Sequence, residues 1–260
     1  MYGAIFGDLA GSIYEYDQSK RIACIQPKQL ITEDSFYSDD TILTIAILDA
    51  ILDNQDYNYY LRKYIKETLD SNYSPKFETH FRYPFSRGLR EWAKQEEMGS
   101  STGNGALMRI SPVGFMFDDA EEVFDNAIKA TEPSHNSSEA LHCATILALM
   151  IYYLRNGYSK DEVYQRLKLP VSYQPFQKFN FTCYETFGNC LYAFYQSNGF
   201  EDAIFKTLYM GGDTDTNAAI VGSMAEAYYG IEDSIIDTIY QKIPDDYIKV
   251  LEKAKKCTKK

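Results

Sequence analysis

Gly211-Gly212-Asp213-Thr214-Asp215-Thr216 opens a run of small and apolar residues, 217–229, that ends at Gly230. The run reads as a helix stopped by a C-terminal glycine. Ala218, Ala219, Gly222 and Ala225 leave room for a neighbouring helix to approach closely. An N-cap needs one short polar side chain, so Asp213 and Asp215 together exceed what capping requires. Far upstream, Ser38-Asp39-Asp40-Thr41 repeats the pattern, an acidic pair with hydroxyl neighbours opening an apolar segment. Two such pairs supply hard oxygen ligands on rigid supports, the preference of Mg²⁺, Mn²⁺ or Ca²⁺.

Outward from these pairs the chain reads as helices almost throughout. Residues 39–53 are apolar on nearly all sides, as expected of a helix buried within a larger helical protein. Further helices are expected at 60–69, 85–95, 118–130, 160–167, 184–196 and 201–209, with a last one starting at Pro244 and ending rich in lysine. Asn136-Ser137-Ser138-Glu139 resembles a capping box before the apolar run to Leu154. Strand signals are sparse, and residues 170–181 are the expected non-helical insertion. The fold class expected is all-α, with 1–260 as one domain, because no linker, repeat or low-complexity tract divides the chain.

With 37 acidic and 26 basic side chains, the formal charge of −11 argues against general nucleic-acid binding. Five cysteines without a CxxC pair read as reduced thiols, and the three histidines add no zinc spacing. The N-terminus lacks the basic segment of a secretory signal, and residues 140–154 are too few for a membrane span. The expectation is a soluble, cytoplasmic monomer.

Two metal chemistries that share these letters fit poorly. A haloacid-dehalogenase-type phosphatase carries Asp-x-Asp-x-Thr after a buried strand, whereas residues 205–210 read as a helix end. A prenyl-diphosphate enzyme carries Asp-Asp-x-x-Asp, and the third position after Asp39 and Asp40 is Leu43.

Five segments in order resemble the ADP-ribosylglycohydrolase family: Gly3-Ala4-Ile5-Phe6-Gly7-Asp8-Leu9-Ala10-Gly11 with Glu15, Ser38 to Thr41, Gly103-Asn104-Gly105-Ala106-Leu107-Met108-Arg109, Ser134-His135-Asn136, and Gly211 to Thr216. The resemblance implies an all-α domain holding two divalent cations, Mg²⁺ or Mn²⁺, in a cleft that takes an ADP-ribosylated substrate. The ligands it implies are Ser38, Asp39, Asp40, Asp213, Asp215 and Thr216. Proton transfer would fall to Glu15 or a metal-bound aspartate such as Asp40, and substrate contacts to Gly103, Asn104, Gly105, Met108 and His135.

The glycines of the Gly103 loop would bring backbone N–H groups close to phosphate. Arg109 reads either as a phosphate partner or as part of a structural ion pair. Ser38 departs from the family's usual threonine, and His135-Asn136-Ser137-Ser138-Glu139 departs from His-Asn-His-Pro-Glu, so only the first histidine transfers. Trp92 and most tyrosines read as packing. The implied activity is hydrolysis of an N- or O-glycosidic bond to ADP-ribose; the alternative is an ADP-ribose-binding or toxin-neutralising protein on the same fold. Acceptor choice would lie in rim loops such as 18–35 and 72–86.

Overall fold

The computed structural model describes residues 1–15, 25–53, 55–77, 80–81, 84–171 and 179–257. Helices α1 (Tyr2–Glu15), α2 (Asp39–Leu52) and α3 (Tyr57–Asp70) precede two short antiparallel strands, β1 (Lys76–Phe77) and β2 (His80–Phe81), in which Phe77 pairs with His80. Short helices α4 (Arg87–Trp92), α5 (Gly105–Met108) and α6 (Ser111–Met116) lead into α7 (Ala120–His135) and α8 (Ser138–Arg155). The chain continues through α9 (Lys160–Arg166), α10 (Cys183–Tyr195), α11 (Phe200–Met210), α12 (Thr214–Tyr229), α13 (Asp233–Tyr240) and α14 (Asp245–Cys257). The all-α expectation holds. Most of the expected non-helical insertion, 172–178, and parts of the expected rim, 18–24, 78–79 and 82–83, lie outside the described residues.

The starts of the helices follow local chemistry. Ser38 caps α2 by accepting from Asp40 N, and Asp119 caps α7 by accepting from Glu121 N and Glu122 N. Ser159 and Glu162 form a reciprocal capping box at α9. The box expected at Asn136 is not formed. Ser137 is the cap of α8, accepting from Ala140 N, and Glu139 accepts from Tyr184 N. Asn136 N is committed to Gly99 O, because α7 does not stop near Ala130 but runs through Pro133 to His135, and its last carbonyls pair with residues 99–101.

α1, α6 and α13 are absent from the sequence expectation, and α1 matters most. Gly3, Gly7 and Gly11 lie one helical turn apart and form a stripe with no side chains. A Cβ on Gly3 would sit 2.1 Å from Gly222 O, one on Gly7 2.0 Å from Ala218 O, and one on Gly11 2.3 Å from Thr214 O. The backbones of α1 and α12 therefore touch, and Ala218 and Gly222 find the close neighbour their size allows. Both ends of the contact are pinned. The Met1 amino group and Gly3 N both donate to the Glu226 carboxylate, and Thr214 Oγ1 donates to Gly11 O at 2.9 Å. Around this pair, α2 is buried almost all round, with Ile42, Leu43, Ile45, Ala46 and Ile47 inaccessible to solvent. Among the described residues no helix is long and apolar enough to cross a membrane.

Gly7→Ala forces a methyl into the Ala218 carbonyl and is expected to destabilise the chain by about 3 kcal/mol in urea denaturation, at the upper end for overpacking. Gly88→Ala, in α4 with open space around the position, is expected to change stability by no more than about 1 kcal/mol, in the stabilising direction. Equal effects of the two substitutions would contradict the close approach.

Candidate metal and ligand site

Asp8, Ser12 and Glu15 recur on α1 at the spacing of one helix face. Ser12 Oγ accepts from Phe36 N at 3.2 Å. Asp8 Oδ2 accepts from Ser38 N at 2.9 Å, Thr41 N at 3.1 Å and Thr41 Oγ1 at 2.5 Å. α1 thereby seizes the chain as it enters α2 and sets the direction of Asp39 and Asp40. Asp8 carries no role in the sequence reading. Its signal is the helical spacing to Glu15, visible only once residues 2–15 are recognised as helical.

The second acidic pair arrives by a different device. Gly211 and Gly212 both take left-handed backbone angles, φ 72° and 85°, which reverse the chain between α11 and α12. Asp213 occupies the N-cap position of α12, yet its side chain makes no capping bond. It accepts instead from Asn104 Nδ2 at 2.7 Å. Asp215 Oδ1 accepts from Thr216 N, and Thr216 Oγ1 donates across to Asp40 Oδ2 at 3.3 Å. Ser38 Oγ also donates to Asp40 Oδ2, at 3.1 Å.

Two groups of carboxylates result, Asp8 with Asp40 and Asp215, and Glu15 with Asp213 and Asp215; within each, ligand atoms lie within 4.8 Å of one another. Asp215 belongs to both. Asp8 Oδ1 and Asp40 Oδ1 are buried without a hydrogen-bond partner. Burial, with the charges of Asp215 and Asp8, pushes Asp39 and Asp40 well above the usual carboxylate range, and burial with the charge of Asp215 brings Asp8 to about 6. Hard oxygen donors brought together against their own repulsion fit Mg²⁺ or Mn²⁺.

The acids floor one end of a cleft of about 790 Å³. Glu15, Asp39, Asp40, Asp213 and Thr216 line it, while Ser38 and Asp215 lie behind that surface. Gly103, Asn104, Gly105, Met108 and His135 line the cleft too, so every expected ligand contact faces the same space as the acids. The Gly103 loop differs from expectation in one respect. The N–H of Gly103 donates to Ser101 Oγ and that of Asn104 to Phe181 O, so these two amides serve the loop itself. The missing side chains make room for His135 instead: a Cβ on Gly105 would lie 3.2 Å from His135 Nε2. Among the described residues Arg109 neither lines the cleft nor forms an ion pair; it is fully buried and donates to Ala130 O and Ser134 Oγ.

A model of the ADP-ribosylglycohydrolase family matches residues 1–259. The chain belongs to this family. Among its relatives, ADP-ribosylhydrolase ARH3 of Mus musculus is 22% identical, over 88% of this chain and 82% of that protein. ADP-ribosylarginine hydrolase Tri1 of Pseudomonas putida (strain GB-1) is 26% identical over 51% of this chain and 40% of its own length. A solved structure described as an ADP-ribosylglycohydrolase-related protein complex superposes with a TM-score of 0.64 at 18% identity, covering 99% of this chain and 96% of that one. The glycohydrolase fold thus carries the acidic cleft on α1, α2 and α12.

Without divalent cations, folded Asp8 holds its proton to about pH 6, while the unfolded chain releases it near 3.8. The folded state then binds more protons in that window, so the contribution of Asp8 to stability falls as pH rises from about 4 to about 6 and is level above it. In EDTA, Asp8→Asn is expected to lose less thermal stability than wild type between about pH 4 and about pH 7. An unchanged pH slope would remove Asp8 from the coupled cluster.

Proposed function

We propose that the chain is a divalent-cation-dependent hydrolase that cleaves the N- or O-glycosidic bond between ADP-ribose and an acceptor. The observation that carries this reading is the pair of carboxylate groups sharing Asp215 beneath a cleft that Glu15 and His135 also line. Asp40, Asp213, Asp215 and Thr216, with Asp39 and Ser38 beside them, are the residues that would hold two Mg²⁺ or Mn²⁺ ions. Bound there, the ions supply charge stabilisation and orientation of the distal ribose hydroxyls and of a water. The cleft volume falls within the usual range for small-molecule and cofactor sites.

The protein's own groups divide the remaining work. Asn104 fixes Asp213 through its amide, and Ser38 and Thr216 fix Asp40 through their hydroxyls, so the floor is organised before substrate arrives. Glu15, at the cleft end of α1, is the proton-transfer group: it takes a proton from the attacking water as the bond at the anomeric carbon breaks and returns it to the departing acceptor atom, with Asp40 as the alternative. His135 and the Gly103 loop hold the rest of the ligand.

Asp215→Ala is expected to abolish turnover and remove the thermal shift produced by Mn²⁺, with helical content by circular dichroism unchanged. Full activity would sink the cation assignment. Glu15→Gln is expected to lower kcat by about 10²-fold or more while ADP-ribose affinity changes little. Near-normal turnover there would leave the aspartates as the proton-transfer groups.

ADP-ribose is expected to inhibit at least about tenfold more strongly than AMP, a difference of about 1.4 kcal/mol, because AMP lacks the distal ribose. Equal inhibition would contradict recognition of that sugar. Turnover on ADP-ribosyl-arginine, ADP-ribosyl-serine and ADP-ribosylated nucleic acid identifies the acceptor; binding of ADP-ribose without turnover of any would favour a non-catalytic binding protein.

A further inference from the structure

Arg109 is a buried cation that meets no carboxylate among the described residues. Its Nη2 donates to Ser134 Oγ at 2.7 Å and to Ala130 O at 3.4 Å. Ser134 Oγ in turn lies 2.7 Å from His135 Nδ1. A serine hydroxyl has one hydrogen and two lone pairs, and a guanidinium only donates. Arg109 therefore occupies one lone pair of Ser134, and because among the described residues the hydroxyl has no acceptor other than His135 Nδ1, its hydrogen is directed there. An Nδ1 that accepts leaves the ring proton on Nε2, the nitrogen beside Gly105 and Gly103 in the cleft wall. Burial, reinforced by the charge of Arg109, holds the imidazole well below its ordinary pKa, so the ring is neutral.

We infer that Arg109 and Ser134 are positioning residues that set the tautomer of His135, so that Nε2 presents an N–H to an acceptor oxygen of the ligand in the cleft. This rests on the reading of the cleft as an ADP-ribose site. It gives Arg109 a part in recognition without contact to the ligand: the cation acts through one hydroxyl and one ring. It also accounts for Gly105, since a side chain there would crowd the approach to Nε2.

The test uses ¹⁵N-labelled full-length protein, with His135→Gln identifying the ring signals of His135 in two-bond ¹H–¹⁵N spectra. The expected result for the free wild-type protein is one neutral tautomer with the proton on Nε2. Ser134→Ala is expected to give a mixture of tautomers and about tenfold weaker ADP-ribose binding by calorimetry, the equivalent of roughly one hydrogen bond, with Mg²⁺ affinity unchanged. Ser134→Thr, which keeps the hydroxyl, is expected to restore both the tautomer and the affinity. A proton on Nδ1, an imidazolium at neutral pH, or native ADP-ribose affinity in Ser134→Ala would each overturn the inference. Failure of the functional reading has a separate signature: wild-type protein would bind no ADP-ribose, while its ring-nitrogen spectrum would still report the tautomer.

Discussion

The backbone contact between α1 and α12 is the constraint on which the rest of the structure depends. Two helices without intervening side chains approach far more closely than the usual 8–10 Å between axes allows for larger residues. At that distance a shift by a fraction of a turn, which brings any residue other than Gly3, Gly7 or Gly11 to the seam, would drive a side chain into a carbonyl. The register is therefore discrete, and the acids of α1 and the acids opening α12 have one relative position. Asp8 then draws in the start of α2, so three segments remote in sequence are fixed by one packing event and one carboxylate.

Such an arrangement concentrates like charge in a buried place, and the fold meets the cost with local hydrogen bonds. Oδ2 of Asp8 takes three donors, and Asp40 takes donors from Ser38 and Thr216. What these bonds leave over, Oδ1 on both residues, marks where the fold is incomplete on its own. Under the proposed function the site would trade stability for readiness to bind, the pattern expected where function and folding make opposite demands.

The acidic pairs were legible in the sequence because their residue types are chemically specific and exceed what capping requires. The helix boundaries around them were legible from caps and from Gly230. α1 was not, because three glycines in a short apolar segment each cost about 1 kcal/mol of helix propensity, a penalty that only the packing against α12 reverses. With α1 unread, the role of Asp8 had no support either. The loop amides were misjudged for a similar reason: Ser101 Oγ and Phe181 O claim them through contacts that local sequence does not reveal. The path from Arg109 to His135 spans α5 to α7, and nothing in the spacing of those residues announces it.

The bond from Asn104 to Asp213 joins the loop that lines the cleft to a carboxylate of the acidic floor. One amide thus belongs to two equilibria. Any preference it gives to a loop position when the floor is loaded must appear, with equal size, as a preference for loading when the loop is engaged. Under the proposed function, ligand and cation in this cleft would be reciprocal effectors of one another to whatever extent that single bond is sensitive to either.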